Sequence, residues 1–95
     1  MAEHIYMFSG PSEQVVFTVP TDMMDSIVDW FGTEVQVKEI GEKMMEVSVR
    51  VNRNAMRYWA LQYARYVTLL SPEDLVKEVR DDLVEAAGRY TKIDR

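Results

Sequence analysis

From Met44 to Val51 the side chains alternate without a break, with Met45, Val47, Val49 and Val51 on one side and Glu46, Ser48 and Arg50 on the other. A period of two marks a strand with one buried and one wet face, because successive Cβ atoms of extended backbone point to opposite sides. Four apolar side chains on one strand need a sheet beside them and a second layer above them. That layer must come from the same short chain. With 95 residues, no cysteine and one histidine, the sequence has room for a single domain and no disulfide or thiolate–metal staple to supplement its core.

The neighbouring segments supply both layers. Glu34 to Ile40 also alternates, Val35 and Val37 against Gln36 and Lys38, and Gly41-Glu42-Lys43 forms a turn, so residues 34–51 read as a β-hairpin. Upstream, Val15 to Val19 is β-branched and aromatic and stops at Pro20, which cannot donate to a ladder, and it reads as a first strand. Met23, Met24, Ile27, Val28 and Phe31 recur at helical spacing between Thr21, a candidate N-cap, and Gly32, a candidate C-terminal cap. The spacing predicts a helix over 22–31 with Asp22, Asp25, Ser26 and Asp29 outside. Asn52 or Asn54 can cap a second helix on which Ala55, Met56, Trp59, Ala60 and Tyr63 share a face. Tyr66 to Leu70 is a fourth strand, and Ser71-Pro72-Glu73-Asp74 opens a third helix, with Ser as cap, proline at the first helical position and acids in the first turn. Its apolar stripe is Leu75, Val76, Val79, Leu83, Ala86, Ala87 and Tyr90.

The order β-α-β-β-α-β plus a closing helix is an α+β, ferredoxin-like arrangement: a four-stranded antiparallel sheet with two helices on one face and a C-terminal helix. Right-handed crossovers give an expected strand order of 4-1-3-2. Residues 1–13 are read as lead-in or linker, 14–90 as the domain and 91–95 as a flexible tail. Phe17, Ile27, Phe31, Met56, Trp59, Tyr63, Leu75 and Leu83 are the expected core. The other sheet face, two sheet edges and the apolar lead-in Ile5-Tyr6-Met7-Phe8 are left to associate, which points to a homodimer.

Most chemistries fail on inventory. His4 is the only imidazole and lies in the lead-in, so a Ser-His-Asp site would have to reach it through a tether, and neither a cysteine nucleophile nor a zinc ligand set exists. The acids fall on solvated helix faces, and four scattered glycines make no phosphate loop. The reading is a non-enzyme with no cofactor and no metal. Apolar runs of a few residues cannot span a bilayer, and no signal peptide opens the chain, so a cytoplasmic location is expected. The third strand lacks the glycine and ring residues with which RNA-recognition domains stack bases.

Charge is unevenly divided: residues 1–46 carry −7, residues 47–72 carry +4 with no acid, and residues 73–95 carry −2. The four cations of the basic block are Arg50, Arg53, Arg57 and Arg65. Rotation by 100° per residue sends Arg57, Tyr58, Leu61 and Arg65 outward from the second helix, away from Met56, Trp59 and Tyr63. Exposed Arg, Tyr and Leu together look like an interface anchor set, and Arg with aromatic rings also suits single-stranded nucleic acid. Arg50, Arg53, Arg57, Tyr58, Leu61 and Arg65 are thus the candidate partner surface. The competing expectation is an ordinary solvated face, on a chain whose net −5 repels polyanions at long range.

At the same residues the chain resembles a known module. Val49-Arg50-Val51-Asn52, Trp59-Ala60-Leu61-Gln62-Tyr63 and Val67-Thr68-Leu69-Leu70-Ser71-Pro72-Glu73-Asp74-Leu75, with Trp30-Phe31-Gly32 before them, are similar to the C-terminal extension of WYL-domain transcriptional regulators. The likeness runs from about Met7 to Tyr90; the glycine that the family commonly has near Ala64 is missing here. The resemblance implies a non-catalytic regulatory and dimerisation module of a bacterial regulator that supports effector sensing. It further implies a WYL domain and a DNA-binding winged helix-turn-helix elsewhere in a parent chain, and single-stranded nucleic acid as a candidate effector. The alternative is a stand-alone ferredoxin-like domain that senses a small molecule or single-stranded nucleic acid.

Overall fold

The alternating segment is a strand, β3 (Met44–Asn52), and it lies inside the sheet rather than at its edge. A computed structural model describes residues 11–32 and 35–93. On one side β3 pairs antiparallel with β1 (Ser12–Pro20), in register from Ser12 opposite Asn52 to Pro20 opposite Met44. On its other side it pairs with β2 (Gln36–Glu39), where Val37 meets Val47, and β1 pairs outward with β4 (Thr68–Ser71). All three pairings are antiparallel, and the order is β2-β3-β1-β4, which read from the β4 edge is 4-1-3-2. Among the described residues there are three α-helices: α1 (Met24–Phe31), α2 (Arg53–Gln62) and α3 (Glu73–Ile93). This α+β architecture is compatible with a ferredoxin-like arrangement.

One continuous core joins the layers. Val15, Phe17 and Val19 of β1, Met45, Val47, Val49 and Val51 of β3 and Leu69 of β4 form the sheet's share, with Ile27 and Phe31 of α1, Ala55, Met56, Trp59 and Ala60 of α2, and Leu75 and Val79 of α3 opposite. Trp59 lies at its centre, its ring 5.3 Å from Phe17, 5.0 Å from Phe31 and 5.2 Å from Tyr63. Among the described residues the opposite sheet face presents Gln14, Val16, Thr18, Met44, Glu46, Ser48 and Arg50 and no aromatic ring.

Local chemistry moves several boundaries from the sequence reading. Thr21 is no helix cap: a 3-10 turn over Thr21–Met23 precedes α1, and the Thr21 N–H donates to the Lys43 carbonyl at 2.9 Å, tying this end of β1 to the β2–β3 hairpin. Asn52 rather than Asn54 caps α2, its Oδ1 accepting from the Ala55 N–H at 3.1 Å. After α2 the amides of Tyr66 and Val67 both donate to the Tyr63 carbonyl, which delays β4 to Thr68. Leu70 is the extra residue of a register shift between Val16 and Phe17, and its side chain is exposed. Ser71 ends β4 opposite Val16 instead of capping α3, and the Val76 amide donates to the Pro72 carbonyl.

Two core assignments change. Tyr63 is half-buried against the cluster rather than inside it, and Leu83 is 39% exposed. The reason for Leu83 is length. At about 1.5 Å per residue α3 is about 30 Å long while α2, which it packs against, is about half that. The last α3 residue in the core is Val79, and the helix runs on to Ile93, beyond the expected boundary at Tyr90. The strand β1 likewise begins at Ser12, inside the expected lead-in, whereas Ile5 to Phe8 fall outside the described residues.

Candidate interaction surface

Arg53 and Arg57 are one turn apart on α2, and Asp74, Glu78 and Asp82 recur every four residues along α3, so the two helices face each other with complementary charge. Arg53 forks between Glu13 at the start of β1, with Nη2 3.1 Å from Oε1, and Asp74, with Nη2 2.9 Å from Oδ2. Its Nη1 lies 3.6 Å from Glu78. Arg57 binds Asp82 in a bidentate fork, Nε to Oδ2 at 2.7 Å and Nη2 to Oδ1 at 3.0 Å, with Glu78 3.8 Å from its Nη1. Planar guanidinium suits this paired geometry in a way that an ammonium would not. The hydrogen bond from Arg53 holds the Asp74 carboxyl below its ordinary value, and that from Arg57 does the same for Asp82. Reciprocally, both guanidinium groups are held more firmly protonated than usual, Arg53 chiefly by its bond to Glu13 and Arg57 chiefly by its bond to Asp82.

The six residues of the expected partner surface are therefore not brought together. Arg53 and Arg57 face α3, and Leu61 is half-buried against the core. Arg50 lies on the face without helices, its Nη2 donating to the Ser12 carbonyl at 3.2 Å. Only Tyr58, 64% exposed, and Arg65, whose guanidinium carbon is 5.9 Å from the centroid of the exposed Tyr66 ring, still point outward. The acid ladder at positions 74, 78 and 82 was present in the sequence as a signal, but the topology that sets it against the arginines was needed to read it. Among the described residues no group of three or more His, Cys, Asp or Glu side chains is placed to hold a metal ion. An open depression lined by Pro11, Ser12, Glu13, Asn52, Arg53 and Asn54 has its one charged pair, Glu13 with Arg53, already closed.

Several large apolar side chains are exposed among the described residues, and three of them lie on one helix. Beyond Val79, α3 presents Leu83, Val84 at 65% and Tyr90 at 69% exposure, together with Ala87 on the same side. Positions 83, 87 and 90 share one helix face. No helix among the described residues is long and apolar enough to cross a membrane, so this stripe belongs to an amphipathic surface rather than a span. No protein-family model matches the chain, and the comparison with curated proteins finds no match.

Proposed function

We propose that this is a non-catalytic regulatory and dimerisation module with a ferredoxin-like fold, of the kind that forms the C-terminal extension of WYL-type helix-turn-helix transcriptional regulators in the bacterial cytoplasm. In that setting the WYL domain and the DNA-binding domain belong to other parts of a parent chain, and this domain joins protomers and supports effector sensing. The observation that carries the reading is the second half of α3, where Leu83, Val84 and Tyr90 are exposed among the described residues. Exposed stripes of this kind mark protein contacts. The resembling segments also fall on coherent elements: the end of β3, the second half of α2, and the run from β4 into α3.

The nucleic-acid alternative rests on Arg50, Arg65 and Tyr58, and it is weakened because Arg53 and Arg57 are neutralised by the domain's own carboxylates. Light scattering, paired with anisotropy titrations of labelled duplex and single-stranded oligonucleotides, tests the two readings together. Self-association without duplex binding is the expected outcome. A monomer that binds single strands with a steep salt dependence would overturn the proposal in favour of the alternative. Coding sequence upstream of Met1 that lacks a WYL domain would remove the regulator context.

A further inference from the structure

We infer that Arg53 is a latch that carries the position of the start of β1 to α3, so that the first turns of α3 stay firmly docked only while Glu13 holds the guanidinium in place. Arg53 is the first residue of α2, and its backbone is anchored there by the Asn52 cap on the Ala55 N–H. Glu13 is the second residue of β1 and Asp74 the second of α3. One side chain thus joins three elements, reaching 40 positions back to Glu13 and 21 forward to Asp74. The inference concerns a single chain and stands whether or not two copies associate.

The guanidinium serves different elements with its different edges. Nε and Nη2 fork onto the two carboxylate oxygens of Glu13, with Nη2 3.1 Å from Oε1, and this fork fixes the guanidinium plane. Nη2 then meets both oxygens of Asp74, at 3.0 and 2.9 Å, while Nη1 lies 3.6 Å from Glu78, one turn further along α3. Exposure sets the order of dependence. Arg53 and Glu13 are 29% and 33% exposed, whereas Asp74 is 70% exposed. An acid as exposed as Asp74 gains little from a freely rotating arginine, because screening and the entropy of holding a long side chain cancel most of the attraction. With the plane already fixed by Glu13, Asp74 and Glu78 meet a preorganised donor edge. The second attachment, Arg57 to Asp82, joins α2 to α3 and involves no β1 residue among those described. Loosening the first turns therefore tilts α3 about Val79 and Asp82. At 1.5 Å per residue its end at Ile93 lies about 21 Å beyond Val79 and moves about three times as far as Asp74 does.

Hydrogen–deuterium exchange in dilute solution, resolved by amide, tests the latch through Glu13→Gln, which keeps the shape of the side chain and removes its charge. Exchange from Val76 to Arg80 is expected to quicken by about 3- to 10-fold, while β1, β3 and the α3 amides from Asp82 onward keep their rates. Arg53→Lys, which keeps the charge and lacks the planar fork, is expected to quicken the same amides. A double-mutant cycle with Asp74→Asn separates a latch from two independent ion pairs. In the Glu13→Gln background Asp74→Asn is expected to have at most about one third of the effect that it has in the parent. Unchanged exchange from Val76 to Arg80 in Glu13→Gln, or an equal quickening in the strands, would overturn the latch. So would additive effects of the two substitutions, or an Asp74→Asn effect that grows once residue 13 is neutral, because the acids would then act separately or compete for Arg53.

Discussion

Helical spacing places both Trp59 and Leu83 in the expected core, and the fold separates them. Trp59 is packed among Phe17, Phe31 and Tyr63, and its indole N–H has no acceptor among the described residues, so its contribution is ring packing rather than hydrogen bonding. Trp59→Ala is expected to cost about 3 to 5 kcal/mol in urea unfolding, a large part of what a domain of this size holds. Trp59→Phe is expected to cost about 1 kcal/mol, because part of the lost packing is offset by removing an unsatisfied donor. Leu83→Ala, measured in dilute solution where the chain is monomeric, is expected to fall within about 0.5 kcal/mol of the parent. Periodicity places both side chains on apolar helix faces. It cannot say where along a helix the supporting layer ends, because that depends on the length of another element.

At the scale of elements, α3 is fastened to the domain by apolar contacts at Leu75 and Val79 and by the arginine–carboxylate ladder above them. Asp74 and Asp82 titrate below their unfolded values, so the folded state binds fewer protons than the unfolded state in that range. Their contribution is complete above the unfolded carboxylate value of about 4 and is lost as pH falls through the lower folded values. Stability is therefore expected to decline on acidification below about pH 4, and Arg57→Met is expected to flatten that acid limb while lowering stability at neutral pH. Urea denaturation of parent and variant at neutral and acidic pH checks both. The strands were the more legible part. Alternation in β3 announced itself because every second residue from Met45 to Val51 is buried, and the Asn52 cap is a local side-chain bond. The sequence around Ser71 suits a helix cap, whereas its place opposite Val16 serves the sheet. The ladder between α2 and α3 joins residues that are 21 to 25 positions apart, beyond any local pattern.

For the whole molecule, sheet order followed from the handedness of two crossovers, and α+β architecture from the switch between periods of two and 3.6. The candidate surface was less legible, since a basic block in sequence became two internally paired arginines, one on the open sheet face and one beside Tyr66. Arg57→Glu is accordingly expected to destabilise the α2–α3 contact without changing affinity for single-stranded DNA, a result that denaturation and anisotropy measured side by side would establish. The proposed dimer joins two copies of this chain through the half of α3 that is exposed among the described residues. Sedimentation equilibrium from about 10 to several hundred micromolar, on the parent and on Leu83→Asp, tests it most directly. A monomer–dimer equilibrium is expected in the parent and a folded monomer in the variant, whereas a parent that is monomeric throughout, or a dimer indifferent to Leu83→Asp, would contradict the proposed interface.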